Sequence, residues 1–470
     1  MNPKTTSPKA TQKTARQVAF EALRAIDRGA FADVVIDRQL KASQLSPQDK
    51  GLVTELVYGT VRRQRTLDAL IDHFGKRKAE QQQADLLQIL RLGFYQLRYL
   101  SHVPDHAVVD TMVQLTKSQR LGKLSGVVNG MLRSYIRQST DNQEVWVTGV
   151  PTDPLPLPDD AVQRLGILHS YPDWIVNVWC SMLPPEEVAA LCEYFNQPPS
   201  LDLRINLQRM PLSTAVEQFE SIGITAEAIP AVPSALRLKN QKGAIAQLPG
   251  YTDGWWAVQD SSAQLVAYLL DPQPGEMIID ACAAPGGKSL HIAELMKGEG
   301  TVWSCDRTPS RTKKIQQNID RLGASIVRLL LCDSRNQPSF VNQADRVLLD
   351  VPCSGLGTLN RHADARWRQT PEAVSGLVTL QRELLAHAST WVKPGGVLVY
   401  STCTLHPDEN EAQIRWFLAE HTGWKIEPPP DDFGLKPTDE GWIKVWPHQQ
   451  KMDGFFMVKL VKDETAVVGL

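Results

Sequence analysis

Two cysteines stand directly after apolar runs that read as β-strands. Cys353 follows the run in "VLLDVPC", and Cys403 follows the run Val397–Tyr400 in "LVYSTCT". A cysteine thiolate is a nucleophile that can form a covalent intermediate with an electrophilic carbon. A cysteine is also a small apolar residue that packs well in a core, so one cysteine alone decides little. The residues at the neighbouring strand ends therefore decide which interpretation applies.

Four aspartates are predicted to end successive strands, and a glycine loop follows the first of them. The loop is the segment "CAAPGGK" (residues 282–288), whose small residues let a ligand approach the backbone amides. Its spacing matches neither G-x-G-x-x-G nor G-x-x-x-x-G-K-[ST], which disfavours a dinucleotide and a nucleoside triphosphate. An acid after the second strand commonly binds ribose hydroxyls, whereas an isolated carboxylate is costly to bury. A bound adenosyl group with amine and hydroxyl donors is therefore predicted from Asp280, Asp306, Asp333 and Asp350.

These residues require a sheet that brings the strand ends together. From residue 253 to 464, strand-like runs such as "EMIID" and "TVWSCD" alternate with helical runs such as "KSLHIAELM". This alternation is typical of a parallel α/β sheet covered by helices on both faces. Ligands of such sheets bind at the carboxyl ends of the strands, near the point where the strand order reverses. We therefore expect a C-terminal α/β domain over residues 253–464.

The first part of the chain reads as helix. Residues 12–140 carry apolar side chains at helical spacing, for example Ala19, Leu23 and Ile26, which predicts an all-α bundle. Residues 1–140 hold 22 Lys and Arg against 12 Asp and Glu, although the net charge of the whole chain is −2. A basic region favours a polyanionic partner because binding phosphates releases counterions. A solvated helical surface is the alternative.

The segments around these two regions have less regular patterns. Four prolines between residues 151 and 158 predict an extended linker over residues 141–162. Residues 163–252 mix helical runs with the alternating run "LDLRINL", which predicts a small α+β domain. Residues 1–11 are polar and predict a disordered tail, with a transit peptide as the alternative.

The amino-acid composition indicates the cellular compartment of the protein. The seven cysteines are odd in number and have no C-x-x-C spacing, which argues against a disulfide framework and a zinc site and favours a reducing compartment. The sequence has no apolar run of 18 residues and no secretory signal. We expect a cytoplasmic, monomeric protein that holds no metal and does not associate with membranes.

The motifs at the strand ends resemble those of a known family. "DACAAPGGK", "DVPCSG" and "STCT" resemble the signature of the RNA cytosine-C5 methyltransferases that use S-adenosylmethionine, and "WAVQDSSAQLV" resembles the strip before their first motif. The helical region resembles the NusB RNA-binding fold. Together they resemble the bacterial 16S ribosomal RNA methyltransferases of the RsmB (Sun, Fmu) type over about residues 12–462, with Ser289 where the family often has Thr. The resemblance implies an all-α NusB-like bundle, a small α+β domain and a Rossmann-like methyltransferase domain.

The resemblance also implies a role for each motif residue. Asp306 would bind the ribose of the cofactor, Asp333 would lie near the adenine, and Asp350 would stand between cofactor and base. Cys403 would be the nucleophile, and Cys353 would assist release of the product. The cofactor loop would comprise Cys282, Ala283, Ala284, Pro285, Gly286, Gly287 and Lys288.

The chemistry of this reaction requires a thiol. C5 of cytosine is too weak a nucleophile to attack a sulfonium methyl group, but addition of a thiolate at C6 makes C5 enamine-like. The C5 proton and then the thiol leave after methyl transfer. Asp350 is a candidate for the acid at N3 of the base, which must leave any helix to be reached. We therefore expect methylation of cytosine C5 in 16S ribosomal RNA through an adduct between Cys403 and C6.

Two other functions stay open at the level of sequence. The first is the same chemistry on another RNA, such as transfer RNA. The second is a non-catalytic RNA-binding assembly factor, which would not require both Cys353 and Cys403 beside four aspartates. The cysteines without such a setting are interpreted as core or bystander thiols: Cys180, Cys192, Cys282, Cys305 and Cys332.

Overall fold

The structure is a computed structural model that describes residues 13–141, 154–240 and 243–465. It divides into two compact units. The helical unit contains the chain up to Asn196 together with the segment His362–Arg368, and the sheet unit contains Gln197–Arg361 and the chain from Gln369 onward. The predicted tail at residues 1–11 and most of the predicted linker at 141–162 lie outside the described residues. The predicted domain boundaries stay predictions.

The first helices of the chain build the helical unit, as predicted from their spacing. Ala19 and Leu23 are buried in its core together with Leu56 and Val108. Thr14 begins the first helix with a reciprocal capping box, because its side chain accepts from the Gln17 amide while the Gln17 side chain accepts from the Thr14 amide. The helices are α1 (Ala15–Asp27), α2 (Ala32–Ala42), α3 (Pro47–Arg62), α4 (Gln64–Phe74), α5 (Ala84–Tyr99), α6 (Asp105–Ser118), α7 (Ser125–Asp141), α8 (Ala161–His169), α9 (Asp173–Cys180) and α10 (Pro185–Phe195).

The segment His362–Arg368 completes the helical unit although it lies far along the chain, between the two cysteine motifs. The carboxylate of Asp364 accepts the Ala32 amide at the start of α2 at 3.2 Å. The indole of Trp367 donates to the Val61 carbonyl at 2.7 Å. The sequence contains no local signal for this insertion, because it depends on contacts between residues separated by about 300 positions.

Arg366 is a fully buried charged residue of this segment, with no exposed surface. Its guanidinium donates to Asn196 Oδ1 at 2.9 Å and to the carbonyls of Arg62 and Ser170 at 3.2 Å each. It also lies 4.1 Å from the ring centroid of Tyr171. Burial lowers the pKa of Arg366 to about 10, so the group keeps its charge at neutral pH and needs these acceptors.

The remaining elements build the sheet unit, except that α15 belongs to the helical unit. In chain order they are β1 (Leu201–Ile205), α11 (Leu212–Ser221), β2 (Thr225–Ala228), β3 (Ala235–Lys239), β4 (Trp256–Val258), α12 (Ser261–Leu270), β5 (Met277–Asp280), α13 (Gly287–Leu295), β6 (Thr301–Asp306), α14 (Pro309–Leu322), β7 (Val327–Leu331), β8 (Ala344–Asp350), α15 (Ala365–Arg368), α16 (Pro371–Ser389), β9 (Val392–Thr402), α17 (Glu411–Glu420), β10 (Trp424–Ile426), β11 (Ile443–Val445), α18 (Pro447–Gln450) and β12 (Phe455–Lys462).

A small antiparallel sheet in the sheet unit has the order β2-β3-β1-β4. The predicted strand "LDLRINL" forms β1, a central strand of this sheet. Leu203 and Ile205 of β1 pack with Leu236, Leu238 and Phe219 in a buried cluster. The α+β character predicted from this part of the sequence is therefore present.

The large sheet has the order β10-β12-β9-β8-β5-β6-β7, and β11 also pairs with β12. Strands β5 to β9 are mutually parallel, whereas β12 is antiparallel to β9, β10 and β11. The chain runs outward from β5 through β6 to β7, then returns to the other side of β5 and runs outward through β8 to β9. The order therefore reverses between β5 and β8, where a crevice for a ligand is expected.

Three of the four aspartates end their strands as predicted, and one does not. Asp280, Asp306 and Asp350 are the last residues of β5, β6 and β8. The prediction for Asp333 was wrong, because β7 ends at Leu331 and Asp333 lies in the following loop. The apolar run continues past the end of the strand pairing, so its composition does not mark the end. Within the described residues, no helix has the length and apolarity that crossing a membrane requires.

We predict that Arg366→Ala lowers the free energy of unfolding by about 2–4 kcal/mol, because several buried acceptors lose their donor. Arg38 is an exposed arginine of the same unit, on α2, and Arg38→Ala is the matched control with an expected change of about 0.5 kcal/mol or less. The measurement is the urea midpoint at constant slope. Equal midpoints for the two variants would contradict the structural role of the segment His362–Arg368.

Candidate active site

An ion pair lies at the point where the strand order reverses. Lys288 Nζ donates to Asp350 Oδ2 at 2.6 Å, and Ser401 Oγ donates to Asp350 Oδ1 at 2.9 Å. Burial alone would lower the pKa of Lys288, but the adjacent Asp350 carboxylate outweighs this effect and raises it. The sequence predicted Lys288 only as part of the cofactor loop, and its pairing with Asp350 could not be foreseen from spacing. The pair places a positive and a negative group beside both cysteine loops.

The glycine loop has a backbone shape that depends on one glycine. Gly286 has a φ of +101° and precedes the first residue of α13. A Cβ at this position would lie 2.9 Å from a side-chain carbon of Ile315, so both conformation and space require glycine. The amides of the first turn of α13 have no acceptor within the helix and are available to a ligand at its N-terminus.

Asp280 is a buried carboxylate with one unused acceptor. Its Oδ2 accepts from Ser289 Oγ at 2.6 Å, whereas its Oδ1 makes no hydrogen bond to the described residues. Burial raises the pKa of Asp280 to about 7. An unused buried acceptor beside the glycine loop fits the amine or hydroxyl donors of an adenosyl cofactor such as S-adenosylmethionine. The hydroxyl of Ser289 makes this contact where the family often has Thr.

Arg204 supports the glycine loop from β1, and the sequence gave no indication of this role. It has no exposed surface and forms a two-pronged ion pair with Glu294 at 2.9 and 2.8 Å. Its Nη1 also donates to the Gly287 carbonyl at 2.6 Å and to the side chain of Gln259. The alternating pattern of the strand does not indicate that Arg204 is buried. The role of this arginine becomes visible only in the structure, where the strand packs against α13.

The other two aspartates have different surroundings. Asp306 is buried, and its Oδ1 accepts the Thr308 amide at 2.8 Å while its Oδ2 lies 3.8 Å from Arg311. Asp333 is partly exposed and pairs with Arg335 at 2.7 Å, and these hydrogen bonds lower the pKa of Asp333 to about 2. The predicted contacts of Asp306 with ribose and of Asp333 with adenine stay predictions.

The two cysteines of the motifs meet at the ends of β8 and β9. The Sγ atoms of Cys353 and Cys403 are 3.4 Å apart, and both residues are partly buried. The hydrogen bond to Cys403 and the burial of the thiol raise the pKa of Cys353 well above its ordinary value. This raised pKa favours the protonated form of the Cys353 thiol. The sequence predicted that both cysteines lie at strand exits, 50 residues apart, but not that their sulfur atoms meet.

The remaining cysteines of the sheet unit lie at other positions. Burial raises the pKa of Cys282 well above its ordinary value, which makes its thiol a poor nucleophile. A hydrogen bond between Cys305 and Cys332 raises the pKa of Cys305 and lowers that of Cys332 to about 7. The bystander interpretation of these thiols stays a prediction.

Three family models match successive parts of the chain. The model described as 16S rRNA methyltransferase RsmB/F matches residues 267–461, and the NusB family model matches residues 13–137. The model of the ferredoxin-like domain of RsmF/B-like methyltransferases matches residues 171–244. The three matches follow the order of helical region, small sheet and large sheet.

Curated relatives and solved structures match over most of the chain. A Synechocystis sp. protein named "Probable ribosomal RNA small subunit methyltransferase B" is 46% identical and covers 96% of this chain and 99% of its own. A Bacillus subtilis protein of the same name is 35% identical and covers 95% and 98%. The solved structure of PH0851 has a TM-score of 0.78 at 25% identity and covers 95% and 98%. A methyltransferase homolog protein from Pyrococcus horikoshii has a TM-score of 0.57 at 27% identity and covers 65% and 100%.

The fold and these matches define the class as a ribosomal RNA methyltransferase with a NusB helical domain, a small domain with a sheet and a C-terminal α/β methyltransferase domain. The chain belongs to the ribosomal RNA small subunit methyltransferase B family. The fold class predicted from the sequence and the resemblance to the RsmB type are thereby confirmed.

We predict that Asp306→Ala weakens binding of S-adenosylmethionine by ~1.5–3 kcal/mol, because a ribose would lose a charged acceptor. Calorimetry in the absence of RNA measures this change. Asp320→Ala on α14 is the matched control, since Asp320 is an exposed acid whose carboxylate accepts from Gln316 at 2.8 Å. An unchanged dissociation constant in Asp306→Ala would contradict the predicted role of Asp306.

Proposed function

We propose that this protein methylates C5 of a cytosine in 16S ribosomal RNA, using S-adenosylmethionine, through a covalent bond between Cys403 Sγ and C6 of the base. The observation that carries the proposal is the 3.4 Å approach of the Cys353 and Cys403 sulfur atoms at the ends of neighbouring strands. A methyltransferase that acted on a more reactive atom would need no such thiol beside its cofactor loop.

The Cys403 thiolate adds to C6 and forms the Sγ–C6 bond, and the electron pair of the C5–C6 double bond moves toward C5 and the N3 side of the ring. The Lys288–Asp350 pair offers a proton and a negative charge at this position, which would stabilise the base during the addition. S-adenosylmethionine would supply its sulfonium methyl group to C5 and leave as the neutral thioether S-adenosylhomocysteine. Water then takes the C5 proton, the electron pair of the C5–H bond restores the C5–C6 double bond, the Sγ–C6 bond breaks, and the Cys403 thiolate is released.

The surroundings of the two thiols favour this division of roles. The raised pKa of Cys353 keeps its sulfur protonated and able to donate to a Cys403 thiolate. The Lys288 ammonium also attracts a negative charge on Cys403. A protonated thiol beside the adduct is suited to assist the elimination that releases the methylated base. We therefore assign addition to Cys403 and release to Cys353.

Two further observations support ribosomal RNA as the substrate. The chain covers nearly the full length of relatives that are named for methylation of the small-subunit ribosomal RNA. The N-terminal 140 residues carry a charge balance of +10, which would neutralise phosphates. A cytoplasmic location and a monomeric state remain part of the proposal.

We predict that the two cysteine variants differ in covalent capture of RNA. Cys403→Ala should bind RNA and cofactor, form no protein–RNA adduct, and lose methylation by orders of magnitude. Cys353→Ala should attack the base and retain the RNA, which gives a slowly migrating band on a denaturing gel that disappears after digestion of the RNA. The double variant should lose the band.

Cys180→Ala is the control for this assay, because Cys180 is a partly buried thiol of the helical unit and should leave both activity and gel pattern unchanged. A band in Cys403→Ala together with its absence in Cys353→Ala would mean that the roles are exchanged. Full activity in both single variants would overturn the covalent mechanism.

We also predict which RNA the protein methylates in the cell. Bisulfite sequencing of 16S ribosomal RNA should show one cytosine that is protected in the parent strain and converted in a strain that lacks the gene. Wild-type protein should restore the protection, and Cys403→Ala should not. Protection lost in a transfer RNA, with 16S ribosomal RNA unchanged, would assign the same chemistry to a different substrate.

A further inference from the structure

A buried carboxylate joins the two cysteine loops without touching either sulfur atom. Glu409 has no exposed surface and ends a short 3-10 turn after β9. Its Oε1 accepts the Ser354 amide at 2.8 Å and Gln381 Nε2 at 3.0 Å, and its Oε2 accepts from Ser354 Oγ. Ser354 directly follows Cys353, so the carboxylate holds the loop of that cysteine.

The same network continues into the loop of the second cysteine. Ser354 Oγ is 2.7 Å from Thr404 Oγ1, and Thr404 directly follows Cys403. Asn410, the neighbour of Glu409, accepts from Thr402 Oγ1 at 2.6 Å and donates to the Thr404 carbonyl at 3.0 Å. The residues on both sides of Cys403 are thus tied to the dipeptide that contains the carboxylate.

The chemistry of this carboxylate indicates a role beyond stability. Its partners here are a backbone amide, a hydroxyl and a side-chain amide, and a buried charge satisfied by neutral donors is costly compared with an apolar residue of the same size. What the carboxylate provides is geometry, since its two oxygens fix the Cys353 loop and the side chain of the adjacent Asn410 fixes the Cys403 loop. Displacement of reacting groups by about 1 Å can cost a hundredfold in rate.

We propose that Glu409 is a positioning residue that holds the Cys353 and Cys403 loops at the separation needed for addition and release. The inference rests on the proposed covalent mechanism, because the separation of the two thiols matters only if both take part. Glu409 acts through Ser354 and Thr404 rather than on the base.

The experiment measures single-turnover methylation at saturating RNA and cofactor, and its substrate is 16S ribosomal RNA from a strain that lacks the gene. It compares Glu409→Ala, Glu409→Gln and the control Glu411→Ala with the wild-type protein. Glu409→Ala removes the bridge and should lower the rate constant about a hundredfold. Glu409→Gln keeps an acceptor for the Ser354 amide and should recover the rate to within about tenfold of wild type. Binding of RNA and cofactor should change about threefold or less in both variants, since the carboxylate acts on the two cysteine loops.

Glu411→Ala is the matched control. Glu411 is a nearly buried carboxylate two positions further along, and it pairs with Lys444 at 2.7 Å rather than with a cysteine loop. Its loss should lower stability and leave the single-turnover rate within about threefold of wild type. A Glu409→Ala rate within threefold of the control would overturn the proposal. A Glu409→Gln rate as low as that of Glu409→Ala would also overturn it, because charge rather than position would then be required.

A milder variant keeps the test usable if Glu409→Ala does not fold. Thr404→Val removes the hydroxyl that meets Ser354 Oγ and should lower the same rate constant about tenfold. An unchanged rate in folded Thr404→Val would contradict the network.

Adduct formation separates failure of this inference from failure of the proposed function. If Cys353→Ala captures no RNA, the covalent mechanism itself is wrong. If Cys353→Ala captures RNA, and the added Glu409→Ala change leaves the rate of capture unaltered, then only the positioning role of Glu409 in addition is wrong.

Discussion

The parallel pairing of β5, β8 and β9 is the constraint on which the site depends. Asp350 lies opposite Ser401 in the register of β8 and β9, so the residues that follow these two positions leave the sheet side by side. Cys353 and Cys403 come three and two residues later and meet for this reason. A shift of one residue in this register would turn alternate side chains to the opposite face and separate the two thiols. The buried apolar residues of both strands oppose such a shift, because they would exchange faces as well.

The same edge gathers several carboxylates, and each is stabilised in a different way. Asp350 has the ammonium of Lys288, Asp333 has the guanidinium of Arg335, and Asp280 has one hydroxyl and an unused oxygen. The environments of Asp280 and Asp333 separate the pKa values of these two groups, which are raised to about 7 and lowered to about 2, respectively. Groups with such different proton affinities at one edge are suited to different tasks in binding and proton transfer. This arrangement of carboxylates does not stabilise a packed core.

Structural features that depend on a local sequence pattern were predicted correctly. Features that depend on contacts between distant residues were not. The strand exits, the glycine loop and the position of both cysteine motifs at strand exits follow from alternation, strand composition and short spacing. The end of β7 was misplaced because the run "LLLCD" stays apolar beyond the last paired residue. Arg204 and Glu409 were not foreseen, because a buried charged residue has a role only through partners brought to it by folding.

The core of the helical unit is completed by a segment far along the chain, because residues that follow the Cys353 motif pack into it. Arg361 is fixed within the sheet unit by Asp260 at 2.8 Å and Asp453 at 2.5 Å. The next residue begins the segment His362–Arg368, whose Arg366 is buried in the helical unit. Arg361 of the sheet unit and His362 of the helical unit are consecutive residues of the chain. Removal of the helices that carry Arg62 and Ser170 would take acceptors from the buried Arg366, which lies twelve residues beyond Ser354 in the chain, so these helices and the segment His362–Arg368 are expected to fold together.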